Sequence, residues 1–370
     1  MISFNPSEEQ ELIRETVAEF ARNELRDVAR HCDEASELPD GFLQKTWELG
    51  LVNAAIPEEL GGSGMPRSPL TSAIVLEELG WGCASLAAAA LAPSAFVNAL
   101  LDFGTSEQKE SYLPLFTGSA FHAASLALCE PHFGFDPASL RTVAEPKGSG
   151  FSLSGRKCTV PLGDRASHFL VVARSSAREG LDALEAFIVP RDARGLTVAS
   201  EPEKLLGLKP LPCASLELDH VEVAAEARLG GENGIDGRRL VNGCRIASLA
   251  LSLGLSRGML EYAIPYAKER QAFEQAIAQK QTIAFMLAEM RIEVNSMRWL
   301  IWKAASRLEQ SLDATRETAL ARTYAQREVI KIADNGLQVF GGHGYIRDYP
   351  VEMWYRNART LTVLDTLASV

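Results

Sequence analysis

The sequence predicts a mainly α-helical chain with a central β-domain, and three observations carry that expectation. Apolar residues recur at helical spacing in the first third of the chain. Between about 122 and 233 they fall instead into short apolar or alternating runs punctuated by Gly and Pro. Past Gly234 the helical period returns. The units expected are an N-terminal helical domain (1–121), a middle β-domain (122–233) and a C-terminal helical bundle (234–370).

In the first unit, Ser7-Glu8-Glu9-Gln10 after Pro6 has the form of a capping box, with Ser7 as N-cap and Gln10 at N3. Leu12, Ile13, Val17 and Phe20 then recur at helical spacing. Further helices are expected over 41–49 and 69–79. An Ala- and Leu-rich one over 84–101 is expected to be buried on most sides. In the second unit, Phe151 and Leu153, Phe169 to Ala173, Ala186 to Val189 and Leu216 to Val223 read as strands too closely spaced for crossover helices. The third unit shows three stripes: Ile246, Leu249, Ala250 and Leu253; Ile283, Met286, Leu287, Met290 and Val294; and Tyr324, Ala325, Val329, Ile332 and Ala333. Helices this long and this widely apolar suggest a bundle that also makes subunit contacts.

Composition narrows the function. The chain has 370 residues, 46% of them hydrophobic, enough for a large core and two or three domains. Its formal net charge is −11 and it has no long basic run, which argues against nucleic acid. Six singly scattered cysteines, without a CxxC pair, read as thiols in a reducing, cytoplasmic setting. The polar, acidic start argues against a signal peptide. No apolar run is expected to reach membrane-spanning length, the tract from Leu86 to Ala92 being far too short, so no membrane partner is expected.

Two stretches draw chemical attention. The first is Tyr266-Ala-Lys-Glu-Arg270-Gln-Ala-Phe273, followed by Gln281; it reads equally as a helix ending in charged residues before a new helix. The second is Gln338-Val-Phe-Gly341-Gly342-His343-Gly344-Tyr345. Its glycines let backbone approach a ligand phosphate, and a helix C-cap with a turn would also explain them. Neither His343 nor His132 has a second ligand at metal spacing, so both read as loop or core residues. Asp164 and Arg165 read as turn residues.

Together, at this separation and on this helical–β–helical order, the two stretches resemble the acyl-CoA dehydrogenase family, whose text here is Arg-x-x-Phe-Gly then Gln, and Gln-x-x-Gly-Gly-x-Gly-Tyr. The resemblance runs from Ser7 to about Arg359 and takes in Pro57-Glu-Glu-Leu-Gly-Gly62, Glu130-Pro131, Tyr349-Pro350-Val-Glu352 and Arg356-Asn-Ala358. It implies an acyl-CoA dehydrogenase-like fold: an N-terminal helical domain, a β-barrel-like middle domain and a C-terminal four-helix bundle. It also implies FAD-dependent α,β-desaturation of an acyl-CoA thioester, in which a carboxylate takes the α-proton and the β-hydrogen leaves as hydride to the flavin. An electron-accepting flavoprotein is the implied redox partner.

In that family the FAD lies across a subunit boundary. The half that serves a neighbour's adenine and pyrophosphate matches well: Arg270, Phe273, Gln281, Gln338, Gly341 and Gly342. An Arg forks two hydrogen bonds to phosphate oxygens, and Gly admits backbone N–H groups. The half that holds the chain's own flavin ring departs from the pattern. Thr-Glu-Pro-Gly-x-Gly-Ser-Asp becomes Cys129-Glu130-Pro131-His132-Phe133-Gly134-Phe135-Asp136, so Cys replaces the ring-side Thr and Phe135 the Ser. The aromatic-Ile-Ser/Thr-Asn-Gly strand becomes Thr159-Val160-Pro161-Leu162-Gly163, where Pro161 lacks a donor.

By resemblance, the base position nine residues after Arg356 is Asp365, one methylene shorter than the family's usual Glu. Lost reach of this size costs on the order of a hundredfold in rate. The other base position used in the family, just before Arg245, is Cys244 here; Arg245 itself belongs beside the substrate cavity. The sequence given ends at Val370, before the closing helical segment most relatives carry. Two readings follow. The chain is one subunit of an α2β2 heterotetramer, similar to those bacteria use on steroid side chains and other bulky acyl-CoAs, lending contacts to a partner's FAD. Alternatively it is a self-sufficient homo-oligomer using Asp365 as base, or a member recruited to another substrate. Because the donated contacts persist while the ring-side positions change together, the heteromeric reading is preferred.

Overall fold

A computed structural model describes residues 5–175 and 178–370. The N-terminal part is helical: α1 (Glu8–Phe20), a π-helical turn (Ala21–Arg26), α2 (Ala29–Ala35), α3 (Phe42–Trp47), α4 (Pro69–Phe103) and α5 (Ser106–Tyr112). The capping box forms as expected, with the Ser7 hydroxyl accepting from the Gln10 amide and the Gln10 side chain returning to the Ser7 N–H.

The middle part contains β1 (Ala124–Ala127), β2 (Val143–Lys147), β3 (Gly150–Pro161), β4 (His168–Arg174), β5 (Leu184–Pro190), β6 (Leu196–Val198) and β7 (Cys213–Ala224). They form one sheet in the order β1-β4-β2-β3-β7-β6, with β5 added to β4. β1 and β2 run parallel to β4 and the other pairings are antiparallel. Alternate side chains of β3, β4, β5 and β7, among them Leu153, Phe169, Val171, Phe187 and Leu218, make a core separate from the helical one.

The C-terminal part holds α6 (Gly237–Glu269), a hairpin of β8 (Gln271–Ala272) and β9 (Gln275–Ala276), α7 (Gln281–Glu309), α8 (Thr315–Phe340) and α9 (Val351–Leu361). The α6 stripe Ile246, Leu249, Ala250 and Leu253 is buried, as are Met290 and Val294 of α7 and Ala325, Val329, Ile332 and Ala333 of α8. The fold is thus mainly α with a central sheet.

Two expectations change. The helices expected over 69–79 and 84–101 are one 35-residue element, bent where Cys83 leaves helical geometry (φ −160, ψ 112). That continuity corrects the expectation of no membrane-length apolar run: by length and composition alone, α4 is long and apolar enough to span one, although 94% of the relevant window is buried inside the protein. A helix apolar all round is buried somewhere, and here α6 and the neighbouring helices cover it. Glycines allow the close packing. A Cβ on Gly254 would lie 2.1 Å from the Glu77 carbonyl oxygen, and one on Gly80 would lie 2.7 Å from that of Leu251. The buried carboxylates Glu77 and Glu78 are met by Arg257 of α6, Arg298 of α7 and Arg14 of α1, which ties four helices together.

Candidate cofactor cleft and the Asp365 site

A cleft of about 650 Å³ opens where α6 ends and α8 ends. Arg270 is the C-cap of α6, and beyond it the β8–β9 hairpin turns through Phe273 and Glu274. Both turn residues have positive φ, 54° and 65°, the geometry of a two-residue hairpin turn. The turn throws Phe273 outward, 90% exposed, with the Lys280 ammonium 5.5 Å from its ring centroid.

Opposite, α8 ends at Phe340 because Gly341 takes φ +56 and starts a 3₁₀ turn through Tyr345. A Cβ on Gly341 or Gly342 would meet nothing within 4 Å, so the space above both is open. Tyr266 stacks on Phe340 at 3.9 Å between centroids and shares a 2.9 Å hydrogen bond with His343 Nδ1. The Gln338 amide donates to the Tyr345 hydroxyl at 2.9 Å.

Arg270, Phe273, Gln338, Gly341 and Gly342 all line this cleft, whereas Gln281 stands at the exposed first turn of α7 and is not among its walls. Lys280, Tyr266 and His343 line it too. Lys280 was not anticipated; its one signal is a basic residue directly before Gln281. Among the described residues neither Arg270 nor Lys280 is ion-paired, so the cleft offers two cations and an open glycine turn. That donor set suits a diphosphate such as the one in FAD.

The second group of residues is closed. Asp365, 8% exposed, follows α9 and lies between two arginines. Arg245 Nε of α6 stands 3.3 Å from Oδ2, and Arg322 of α8 reaches Oδ1 through Nε at 3.1 Å and Oδ2 through Nη2 at 2.9 Å. Arg245, expected beside the substrate cavity, thus pairs with this acid. Sequence offered no sign of Arg322, since an arginine on an amphipathic helix is by default a solvated residue.

Cys129 is 4% exposed, and its thiol lies 3.2 Å from the Thr366 hydroxyl. Burial pushes the Cys129 thiol up, and pushes that of Cys244 up to about 12. Neither is a thiolate at neutral pH. Glu130 turns inward to accept from the amides of Arg141 and Thr142 at 2.7 and 2.8 Å and from Lys157 Nζ at 2.9 Å. Phe133 is fully exposed, while Val160 and Leu162 are buried. From Leu364 through Val370 every residue is under 9% exposed.

Comparison with known proteins agrees along the chain. Models of the acyl-CoA dehydrogenase N-terminal, middle and C-terminal domains match residues 7–119, 125–221 and 238–365. A probable acyl-CoA dehydrogenase of Bacillus subtilis (strain 168) is 34% identical over 98% of this chain and 95% of its own length. A caffeyl-CoA reductase-Etf complex subunit of Acetobacterium woodii is 31% identical over 98% of this chain and 96% of its own. The solved butyryl-CoA dehydrogenase of Megasphaera elsdenii superposes with a TM-score of 0.88 at 26% identity, covering 98% and 96%. With the helix–sheet–helix order and the Arg270 cleft, these matches show that the chain belongs to the acyl-CoA dehydrogenase family of flavoprotein oxidoreductases.

Proposed function

We propose that this chain works in α,β-desaturation of an acyl-CoA as the cofactor-lending subunit of an α2β2 acyl-CoA dehydrogenase. The asymmetry between the two half-sites carries the reading. The Arg270 cleft is open, cationic and edged by an outward-facing Phe273, whereas Cys129 and Asp365 are buried and already partnered. FAD, when bound, supplies the hydride acceptor. Arg270 would clamp its diphosphate with a two-pronged hydrogen bond, the Gly341–Gly342 backbone would approach it, and Phe273 would rest against the cofactor from across the interface.

Asp365 supports the same reading. A base must reach the α-proton with a free lone pair, and both oxygens of this carboxylate face guanidinium groups. The paired Asp365–Arg245–Arg322 group holds α6, α8 and the segment after α9 together. A separate flavoprotein is the electron acceptor we assign to the assembly, a role suggested by the Etf complex named for the Acetobacterium relative. We place the assembly in the cytoplasm.

The test is flavin stoichiometry. Purified alone, the chain should carry no flavin; purified with a family member that has an intact base Glu, it should yield a yellow complex that acyl-CoA bleaches. Arg270→Ala in that complex should lower FAD affinity at least tenfold, matching roughly 1.5–3 kcal/mol for a charge-assisted contact. A yellow preparation of this chain alone, with one FAD per chain and bleached by acyl-CoA, would overturn the proposal in favour of a self-sufficient homo-oligomer.

A further inference from the structure

Three polar side chains meet where the sheet joins the helical N-terminal part, and none of them lines the Arg270 cleft. His122 stands just before β1, while Ser167 precedes β4 and His168 opens it, beside β1 in the sheet. The Ser167 hydroxyl lies 2.9 Å from His122 Nε2 and 3.0 Å from His168 Nδ1, so both rings aim one nitrogen at the same oxygen. A third neighbour is the Ala123 carbonyl, 3.2 Å away, to which the hydroxyl can donate. Backbone bonds hold the bridge in place. The Ser167 N–H donates to the Ala123 carbonyl, and the Ser167 carbonyl accepts from the Arg191 N–H, both at 2.9 Å.

The same two rings dock the sheet on the helices. His122 makes an edge contact with Phe116 at 5.1 Å between centroids, and His168 one with Tyr112 of α5 at 5.5 Å. Phe116 and Tyr112 both pack on Phe96 of α4, at 5.6 and 6.3 Å, so ring contacts run unbroken from the sheet to the buried helix. Facing the pair are the Tyr112 phenol from α5 and, after β5, Arg191 and Asp192. Arg191 spends Nη1 on the Gly163 and Ala166 carbonyls, and Asp192 attracts the His168 ring. The 3₁₀ turn before β1 contributes only the apolar Phe116 to the ring contacts.

Proton bookkeeping gives the cluster a direction. A serine hydroxyl has one proton to donate and two lone pairs to accept with. It can take an N–H from each ring while its own proton turns to Ala123, so a first added proton leaves no facing group unmet. A second proton places two positive rings, 6.4 Å apart between centroids, in a half-buried joint. We infer that His122, Ser167 and His168 form a pH-sensitive clasp between the helical part and the sheet, which accepts one proton and is released by the second. Burial pushes the His122 imidazole below its ordinary 6.5, and His168 pushes it the same way; burial also lowers His168, against the pull of Asp192. Because both folded values lie below 6.5, the stabilisation is full above that pH and is lost as pH falls through the folded values.

The test follows the ring carbons of labelled histidine by NMR in the full chain, together with its melting temperature. In the wild type both rings should titrate below 6.5, and His168→Gln should raise the His122 midpoint by removing the like charge. Ser167→Ala keeps both rings but takes away the acceptor of the charged N–H, so the first midpoint should fall. The drop in melting temperature between about pH 7.5 and pH 5.5 should at least halve in the double variant His122→Gln with His168→Gln. If the double variant does not fold, the titrations of His168→Gln and Ser167→Ala decide. Wild-type midpoints at 6.5, a His122 midpoint that His168→Gln leaves unmoved, or a double variant with the full wild-type drop would each overturn the inference.

Discussion

A carboxylate with both oxygens on guanidinium groups serves the fold before it serves chemistry, and Asp365 is in that position between Arg245 and Arg322. Asp365→Asn should therefore lower stability by about 1.5–3 kcal/mol, the worth of hydrogen bonds to charged groups. Denaturant titration measures this; a catalytic base alone would cost turnover and leave the midpoint unchanged. Glu130 is a second carboxylate committed to the fold, held by the Lys157 ammonium and two backbone amides. Burial works against its charge, but Lys157 and the amides of Arg141 and Thr142 outweigh burial and hold the carboxyl below its ordinary 4.5. Because the folded value lies below the unfolded one, this stabilisation is present above about pH 4.5 and is lost as pH falls through the folded value. Lys157→Met leaves a buried, uncompensated charge and should cost about 3–5 kcal/mol at pH 7. Part of that loss should return near pH 5, where Glu130 protonates more readily without its partner. Equal losses at the two pH values would show that the pair is not electrostatically coupled.

Among the elements, the crossing of α4 and α6 depends most on particular residues. Gly254 and Gly80 let two backbones touch where any Cβ would collide with a carbonyl oxygen. Gly254→Ala must separate the helices, so a loss of about 1–3 kcal/mol is expected, as for overpacking in a tight core. The β8–β9 hairpin works the other way. Glu274 sits at φ +65, a region that costs an L-residue roughly 1–2 kcal/mol, and the family text resembled here carries Gly at this place. Glu274→Gly should raise the melting temperature slightly and leave the cleft intact, since the turn geometry already suits glycine. A fall in melting temperature would show that the Glu274 side chain makes a contact that outweighs the strain.

At the scale of the whole molecule, the bundle leaves an apolar stripe on α7, where Phe285 and Ile292 are 59% and 60% exposed and one heptad apart. Large exposed apolar side chains in a row mark association surfaces. The same end of the bundle carries the Arg270 cleft and the outward Phe273. Phe285→Glu together with Ile292→Glu should reduce the assembled protein to smaller species in size-exclusion chromatography. The secondary structure should be unchanged, because neither side chain is in the core. An unchanged elution volume would show that assembly uses another face.

The sequence by itself determined the order of elements and picked out most of the residues that line the Arg270 cleft. Hydrophobic period is a local property, and Arg270, Phe273, Gln338 and the glycine turn lie in two short stretches whose wording is specific. Lys280 joined that cleft only in three dimensions, and Gln281 stayed outside it, because the side a residue faces at a helix start depends on the preceding turn. Tertiary structure alone decided the state of Asp365. Its partners Arg245 and Arg322 come from two other helices, and charge pairing across elements leaves no local pattern. The same holds for the inward turn of Glu130 onto Lys157 and for α4, whose continuous 35-residue length and its burial under α6 appear only in the folded chain.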